Sequence, residues 1–302
     1  VCDWRSRRVG GLMAGFRNAR DIADAQDAGR YLYRSFRKQA TQTTGSGIWF
    51  DLSMSPGNPV PNYYIGAAGA FTPLKRSTGG GLDHGPSVSQ FGQKKFLRKL
   101  MAISPTAAAA PLTMLMLDYI GFYGFIDESV TDEQPLDNTL SPTRYQDGRG
   151  VQLMPVVVAG QAGGQTFTVK YTNSDGVSGR VTAPVKMSTQ AVNGTILHSL
   201  SAGNQQGGPF LPLQAGDSGV RFVESVTIGG IGDVGLFALV MVKPLATLDI
   251  RGIDAPTEID YLTDCGCSLP EIQDDAYLNF TVLPVGTLSG APIHGIIETT
   301  FN

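Results

Sequence analysis

A mainly β fold is predicted by three features of this 302-residue chain. From about residue 146 onward, short apolar or alternating runs recur between turn residues, the spacing expected of strands in a sandwich. Glycine (38) and proline (18) are abundant enough to supply many turns and too abundant for a helical protein. Helical periodicity is confined to two segments in the first third of the chain. The expected architecture is a C-terminal β-sandwich or jelly-roll-like body over 146–302. A loop-rich segment with one amphipathic helix, 48–145, precedes it, and a basic helical arm with its linker, 1–47, comes first.

In chain order, Asp21 to Ala40 reads as a weakly apolar helix, because it lacks proline and sets Ile22, Tyr31, Leu32 and Phe36 among charged residues. Thr41 to Gly47 is a small polar linker. From Ile48 the chain becomes aromatic and proline-rich without any period, which predicts extended chain lying over a surface. Trp49, Phe50, Tyr63, Tyr64 and Phe71 are the expected anchors of that contact, because interfaces concentrate aromatic residues. Gln93 to Ile103 predicts the clearest helix, with Phe96, Leu97, Leu100 and Met101 on one face and Lys94, Lys95, Arg98 and Lys99 on the other. That basic stripe is a second candidate contact, facing phosphates or an acidic neighbour, although the solvated face of an amphipathic helix is the default explanation. The apolar run Ala107 to Ile126 is broken by Pro111, Asp118, Gly121 and Gly124, so it reads as core and not as a membrane span.

Eight strands are expected after residue 150: Met154–Ala159, Thr166–Tyr171, Val177–Pro184, Thr195–Leu200, Val220–Ile228, Gly235–Val242, Leu278–Leu283 and Ile293–Thr300. Asn173-Ser-Asp-Gly176 is a strong turn, so Gln165 to Val181 predicts a hairpin.

The net charge of -3 gives no overall case for nucleic-acid binding. Its distribution is uneven, since residues 1–40 hold nine Arg/Lys against four Asp while the remainder is acidic. A basic arm reaching an acidic neighbouring surface, including another copy of the chain, is therefore expected, and its removal should weaken assembly without unfolding the β-body. Three cysteines (Cys2, Cys265, Cys267) do not make a disulfide framework, and the chain opens on no secretory leader pattern, so synthesis in a reducing cytoplasm is expected.

Motifs with chemical meaning are few. Gly230-Ile-Gly-Asp-Val-Gly235 fits a dinucleotide-binding spacing, but a strand pattern follows it where that site needs a helix, so a hairpin turn is the better reading. Gly216-Asp-Ser-Gly219 resembles the nucleophile turn of chymotrypsin-like proteases over four residues, with His84 and His198 as the bases it would need. Asp264-Cys-Gly-Cys267 lacks the further ligands a zinc site requires. No catalytic residue, metal or cofactor is expected.

Several longer stretches carry a resemblance. They are Trp49-Phe-Asp51, Gly57-Asn-Pro-Val-Pro-Asn-Tyr-Tyr64, Leu136-Asp-Asn-Thr139, Arg144-Tyr-Gln-Asp-Gly148, Pro209-Phe-Leu-Pro-Leu-Gln214, Gly216-Asp-Ser-Gly-Val220, Ala276-Tyr-Leu-Asn-Phe280 and Gly290-Ala-Pro-Ile-His-Gly295. Together, from about residue 48 to the C-terminus, they resemble a family of virion structural proteins encoded by tailed bacteriophages. The resemblance implies a capsid-associated protein, of decoration, cement or minor-capsid type, made in the host bacterial cytoplasm and resident in the virion. Its partners would be major capsid or tail proteins and copies of itself, with no membrane and no sequence-specific nucleic acid. A tail or head-to-tail connector component is the alternative within that class, and a carbohydrate- or receptor-binding β-sandwich is the alternative outside it.

Overall fold

The computed structural model describes residues 15–106, 110–189, 192–199, 208–265 and 268–302. Its principal elements are one helix, α1 (Ala19–Asp27), and nine longer strands: β1 (Tyr31–Gln39), β2 (Lys95–Ile103), β3 (Leu112–Asp127), β4 (Gln152–Ala162), β5 (Thr166–Asn173), β6 (Val220–Ile228), β7 (Val234–Ile250), β8 (Leu278–Pro284) and β9 (Pro292–Phe301). The protein is mainly β, with a sandwich-like body as the sequence predicts.

The strands form three antiparallel sheets. Sheet I runs Thr257–Asp260, β2, β9, β1, Gly57–Asn58. Sheet II runs Phe50–Asp51, β8, β3, β7, β4, with Phe71–Pro73 added along β3. Sheet III is smaller, with β5 and β6 at its centre and the short strands Arg180–Val181 and Gln134–Pro135 at its edges.

The long strands β3 and β7 organise the rest, because their alternate residues serve three cores. Met114, Met116, Leu248 and Ile250 pack against Leu97, Leu100, Phe36 and Ile297 of sheet I. Farther along the same strands, Tyr123, Ile126, Phe237 and Leu239 pack against Phe167, Val169, Val223 and Val226 of sheet III. The intervening side chains Leu117, Tyr119, Phe122, Val240 and Val242 are covered largely by irregular chain, through Trp49, Met54, Tyr64, Leu74, Ile196 and Tyr277. Gly121 permits part of this cover: a Cβ there would lie 2.3 Å from the Phe71 ring, so only glycine lets Phe71–Pro73 pair at that point.

Several sequence expectations require correction. Asp21 to Ala40 is half helix and half strand: α1 stops at Ala28, Gly29 takes the left-handed φ of 75° that ends helices, and β1 follows. Since β1 pairs with β9 along its whole length, removing residues 1–40 would take out a strand of sheet I and would not leave the body intact. Gln93 to Ile103 is not a helix, because β2 occupies it. A bulge at Arg98, where Lys99 pairs with Glu298 and Leu97 with Thr299, puts Leu97 and Leu100 three residues apart on one face. Three-residue spacing on one face is what a helix would show, so the bulge imitated helical period.

Finally, Thr195 to Leu200 forms only isolated bridges where it is described, and Val177 to Pro184 contributes a two-residue strand. The Gln165–Val181 hairpin is present, with Gly176 N–H donating to the Asn173 carbonyl at its turn. The Gly230–Gly235 turn joins β6 of sheet III to β7 of sheet II, so it is a corner between sheets and not a hairpin.

Candidate interaction loop

Four of the five aromatic anchors expected at a surface are buried in the core: Trp49, Phe50, Tyr64 and Phe71. The aperiodic segment does wrap a surface, but the surface is the outer side of its own sheet II. Tyr63 alone of the five remains exposed, at 54%, and it is flanked by Val60 at 54% and Ile65 at 76%. Three large apolar side chains within six residues make the loop Pro59–Ile65 the densest exposed apolar feature among the described residues.

The loop is held from beneath by buried polar groups. Alternation along β1 turns Lys38 inward with Phe36, and the ammonium, fully buried, donates to the carbonyls of Ser55 (2.6 Å) and Pro59 (2.9 Å). Asp51, also fully buried, accepts from the Ser53 amide at 2.9 Å, the Ser53 hydroxyl at 2.6 Å, Tyr64 Oη at 2.5 Å and Tyr119 Oη at 2.7 Å. Burial pushes the Asp51 carboxyl up against those donors, and pushes Lys38 down to about 8 while the Asp51 charge opposes the shift. The Asn62 amide donates to the Ser53 carbonyl at 2.9 Å, and Tyr64 N–H donates to Asn62 Oδ1 at 3.2 Å. Tyr64 adopts a left-handed φ of 53°, which turns its ring into the core beside Phe122 while its two neighbours face outward. A loop fixed in this way loses little entropy when a partner covers it.

The basic stripe does not exist as a surface. Lys94 pairs with Glu271 at 2.7 Å, Lys99 pairs with Glu258 at 3.0 Å, and Arg98 bridges Glu298 at 2.8 Å and Asp260 at 3.3 Å. Lys95 is buried and donates to His84 Nδ1 at 3.1 Å. Of the basic arm, Arg5, Arg7 and Arg8 lie outside the described residues, whereas Arg17 and Arg20 pair with Asp21 and Asp24 of α1 and Arg34 pairs with Asp83.

The remaining candidates for chemistry are not brought together. The Ser218 hydroxyl contacts that of Ser174 at 3.0 Å, and Asp217 accepts from Tyr171, Asn173 and Arg180. His84 Nε2 donates to the Ala276 carbonyl and His198 Nε2 to the Phe210 carbonyl, both at 3.1 Å. His294 lies on sheet I, opposite Arg37. No group of three or more His, Cys, Asp or Glu is arranged to hold a metal ion among the described residues, and Cys267 lies outside them. No described helix is long and apolar enough to cross a membrane.

The buried histidines give the fold a measurable acid response. Burial holds His84 neutral, down to about 3, and His198 to about 4, both below the ordinary value near 6.5. Because these values are depressed in the folded state, the stability they contribute is complete above pH 6.5 and is lost as pH falls toward them. Each histidine contributes a slope of at most about 1.4 kcal/mol per pH unit. Calorimetry between pH 6.5 and 4.5 should therefore show a falling Tm, and His84→Gln should flatten that fall. A Tm constant over this window would contradict the burial of both rings.

No protein-family model and no curated protein matches this chain. Among solved structures, the crystal structure of the infectious bursal disease virus VP2 subviral particle aligns at 10% identity and a TM-score of 0.15, covering 89% of this chain and 81% of that one. T=1 particles derived from the D431N mutant VP2 of the same virus align at 10% identity and a TM-score of 0.16, covering 90% and 78%. Scores of this size establish no common fold.

Proposed function

We propose that this chain is a structural component of a virus particle, a capsid-associated protein of a tailed bacteriophage, working through protein–protein contact at the loop Pro59–Ile65. The observation that carries this reading is the exposure of Val60, Tyr63 and Ile65 on a backbone pinned by Lys38, Asp51 and Tyr64. A soluble monomer gains nothing from presenting aliphatic and aromatic side chains rigidly to water, whereas an interface gains a preorganised anchor. The virion assignment rests on the sequence resemblance that runs through this same loop. Other virion proteins and further copies of the chain are the partners.

The experiment is quantitative mass spectrometry of purified particles. The protein is expected at a fixed copy number, on the order of hundreds for a head position and a dozen or fewer for a tail or connector position, as particle symmetry dictates. Its absence from particles would end this reading. One observation favours glycan binding as a second reading: Tyr63 also borders a cleft of about 370 Å³ lined by Thr41, Gln42 and Asn193, an aromatic face beside amide and hydroxyl groups. Saturable binding on a glycan array, lost in Tyr63→Ser, would support it.

A further inference from the structure

Sheet I buries one face in the core and turns the other outward. On the outer face, the rows Ser35–Ile296–Met101 and Arg37–His294–Ile103 run across β1, β9 and β2, and with Asn58 and Pro256 they line a shallow cleft of about 690 Å³. Its floor of Met101, Ile103 and Ile296 is apolar, and its charge is cationic. Arg37 is exposed and donates to the Gln39 side-chain oxygen at 3.0 Å, and no carboxylate pairs with it among the described residues. His294, directly opposite on β9, adds a ring that makes no hydrogen bond among those residues. The cleft is thus complementary to an apolar side chain that arrives with a carboxylate.

The chain carries such a pair at its other end. Sheet I packs against the Leu112 end of β3, whereas the loop 128–133 follows the Asp127 end, beside sheet III, up to about 50 Å away at strand rise. Gln134 closes this loop: its Nε2 donates to the carbonyls of Asp127 at 2.8 Å and Val130 at 3.3 Å, and its Oε1 accepts from the Asp127 amide at 3.1 Å. Val130 is thereby held in an exposed position, at 38%. Asp132, two residues on, is exposed and has no hydrogen bond or ion pair among the described residues, whereas Asp127 and Glu133 accept from Ser129 and Ser225. We propose that this loop of one copy docks in the sheet I cleft of a second copy, with Val130 on Met101, Ile103 and Ile296 and Asp132 on Arg37 and His294. Loop and cleft are different patches, so the contact is head-to-tail and either closes into a ring of copies or propagates. It depends neither on residues 59–65 nor on a place in a virion.

Sedimentation velocity on the purified full chain tests this. In low salt the chain should assemble beyond the monomer, and added salt should reverse the assembly by screening the exposed charges. Arg37→Glu and Asp132→Arg each set like charges against one another and should weaken association about tenfold or more. Mixed in equal amounts, the two variants should assemble again, because the cleft and the loop of each then meet the opposite charge in the other. Both altered side chains are exposed, so each variant should keep the circular dichroism spectrum of the unaltered chain. Val130→Ser, which changes no charge, should also weaken association, and it decides the matter if either charge variant does not fold. A full chain that stays monomeric in low salt would overturn the proposal. So would single variants that associate like the unaltered chain, or a mixture of folded variants that assembles no better than either alone.

Discussion

Replacing Arg144 with methionine is expected to cost about 3–5 kcal/mol, read as a lower urea midpoint at unchanged slope. The guanidinium and Asp118 form a buried, two-pronged pair, with Nη2 donating to Oδ1 at 2.7 Å and Nε to Oδ2 at 3.0 Å. Arg144 also donates to the carbonyls of Leu74 and Tyr119, and Asp118 accepts from the Tyr277 amide. One ion pair thus ties β3 to two of the irregular segments that cover sheet II. Truncating Arg144 strands a buried carboxylate, which is the expensive way to break such a pair. Asp118→Leu added to Arg144→Met removes that stranded charge, so the double variant should recover part of the loss. A loss below about 1 kcal/mol for the single variant, the size of an exposed pair, would contradict the burial described above.

Lys38→Met is expected to cost about 3 kcal/mol for a related reason and to act on the loop in particular. It leaves the Ser55 and Pro59 carbonyls without their donor and removes the ammonium that interacts electrostatically with the buried Asp51. Because β1 must turn residue 38 inward, the methionine stays in the core while the loop loses its anchor. Hydrogen exchange at the Asn62 amide, which is bonded to Ser53, should quicken well beyond the change at β3 amides. If exchange rose equally everywhere, Lys38 would stabilise the fold without holding the loop.

The expected strands at β6, β7, β8 and β9 were legible because burial there follows simple alternation or a continuous apolar run between turns. β2 was not, because its bulge gave a strand the spacing of a helix. Nor was β1, although Gly29 followed by Tyr31-Leu-Tyr33 was an available signal for a helix end and a strand start. The aromatic stretch from Trp49 to Phe71 misled for another reason. A core lid built of irregular chain has no period, so its buried residues look like those of an interface strap until the sheet beneath them is known. Tyr63 and Tyr64 show the limit most clearly: adjacent, chemically identical residues lie on opposite sides of the loop because of one left-handed backbone step. No sequence pattern announces that step.

A competition between two forms of the chain bears on the contact loop itself. The double variant Tyr63→Ser, Ile65→Ser should fold as the unaltered chain does, within about 0.5 kcal/mol, because both side chains are exposed. Produced together with the unaltered chain in cells assembling particles, it should fall about tenfold or more below its share of synthesis in the purified particles, the effect of losing two interface anchors. Equal incorporation of the two chains would contradict the claim that this loop is the contact surface.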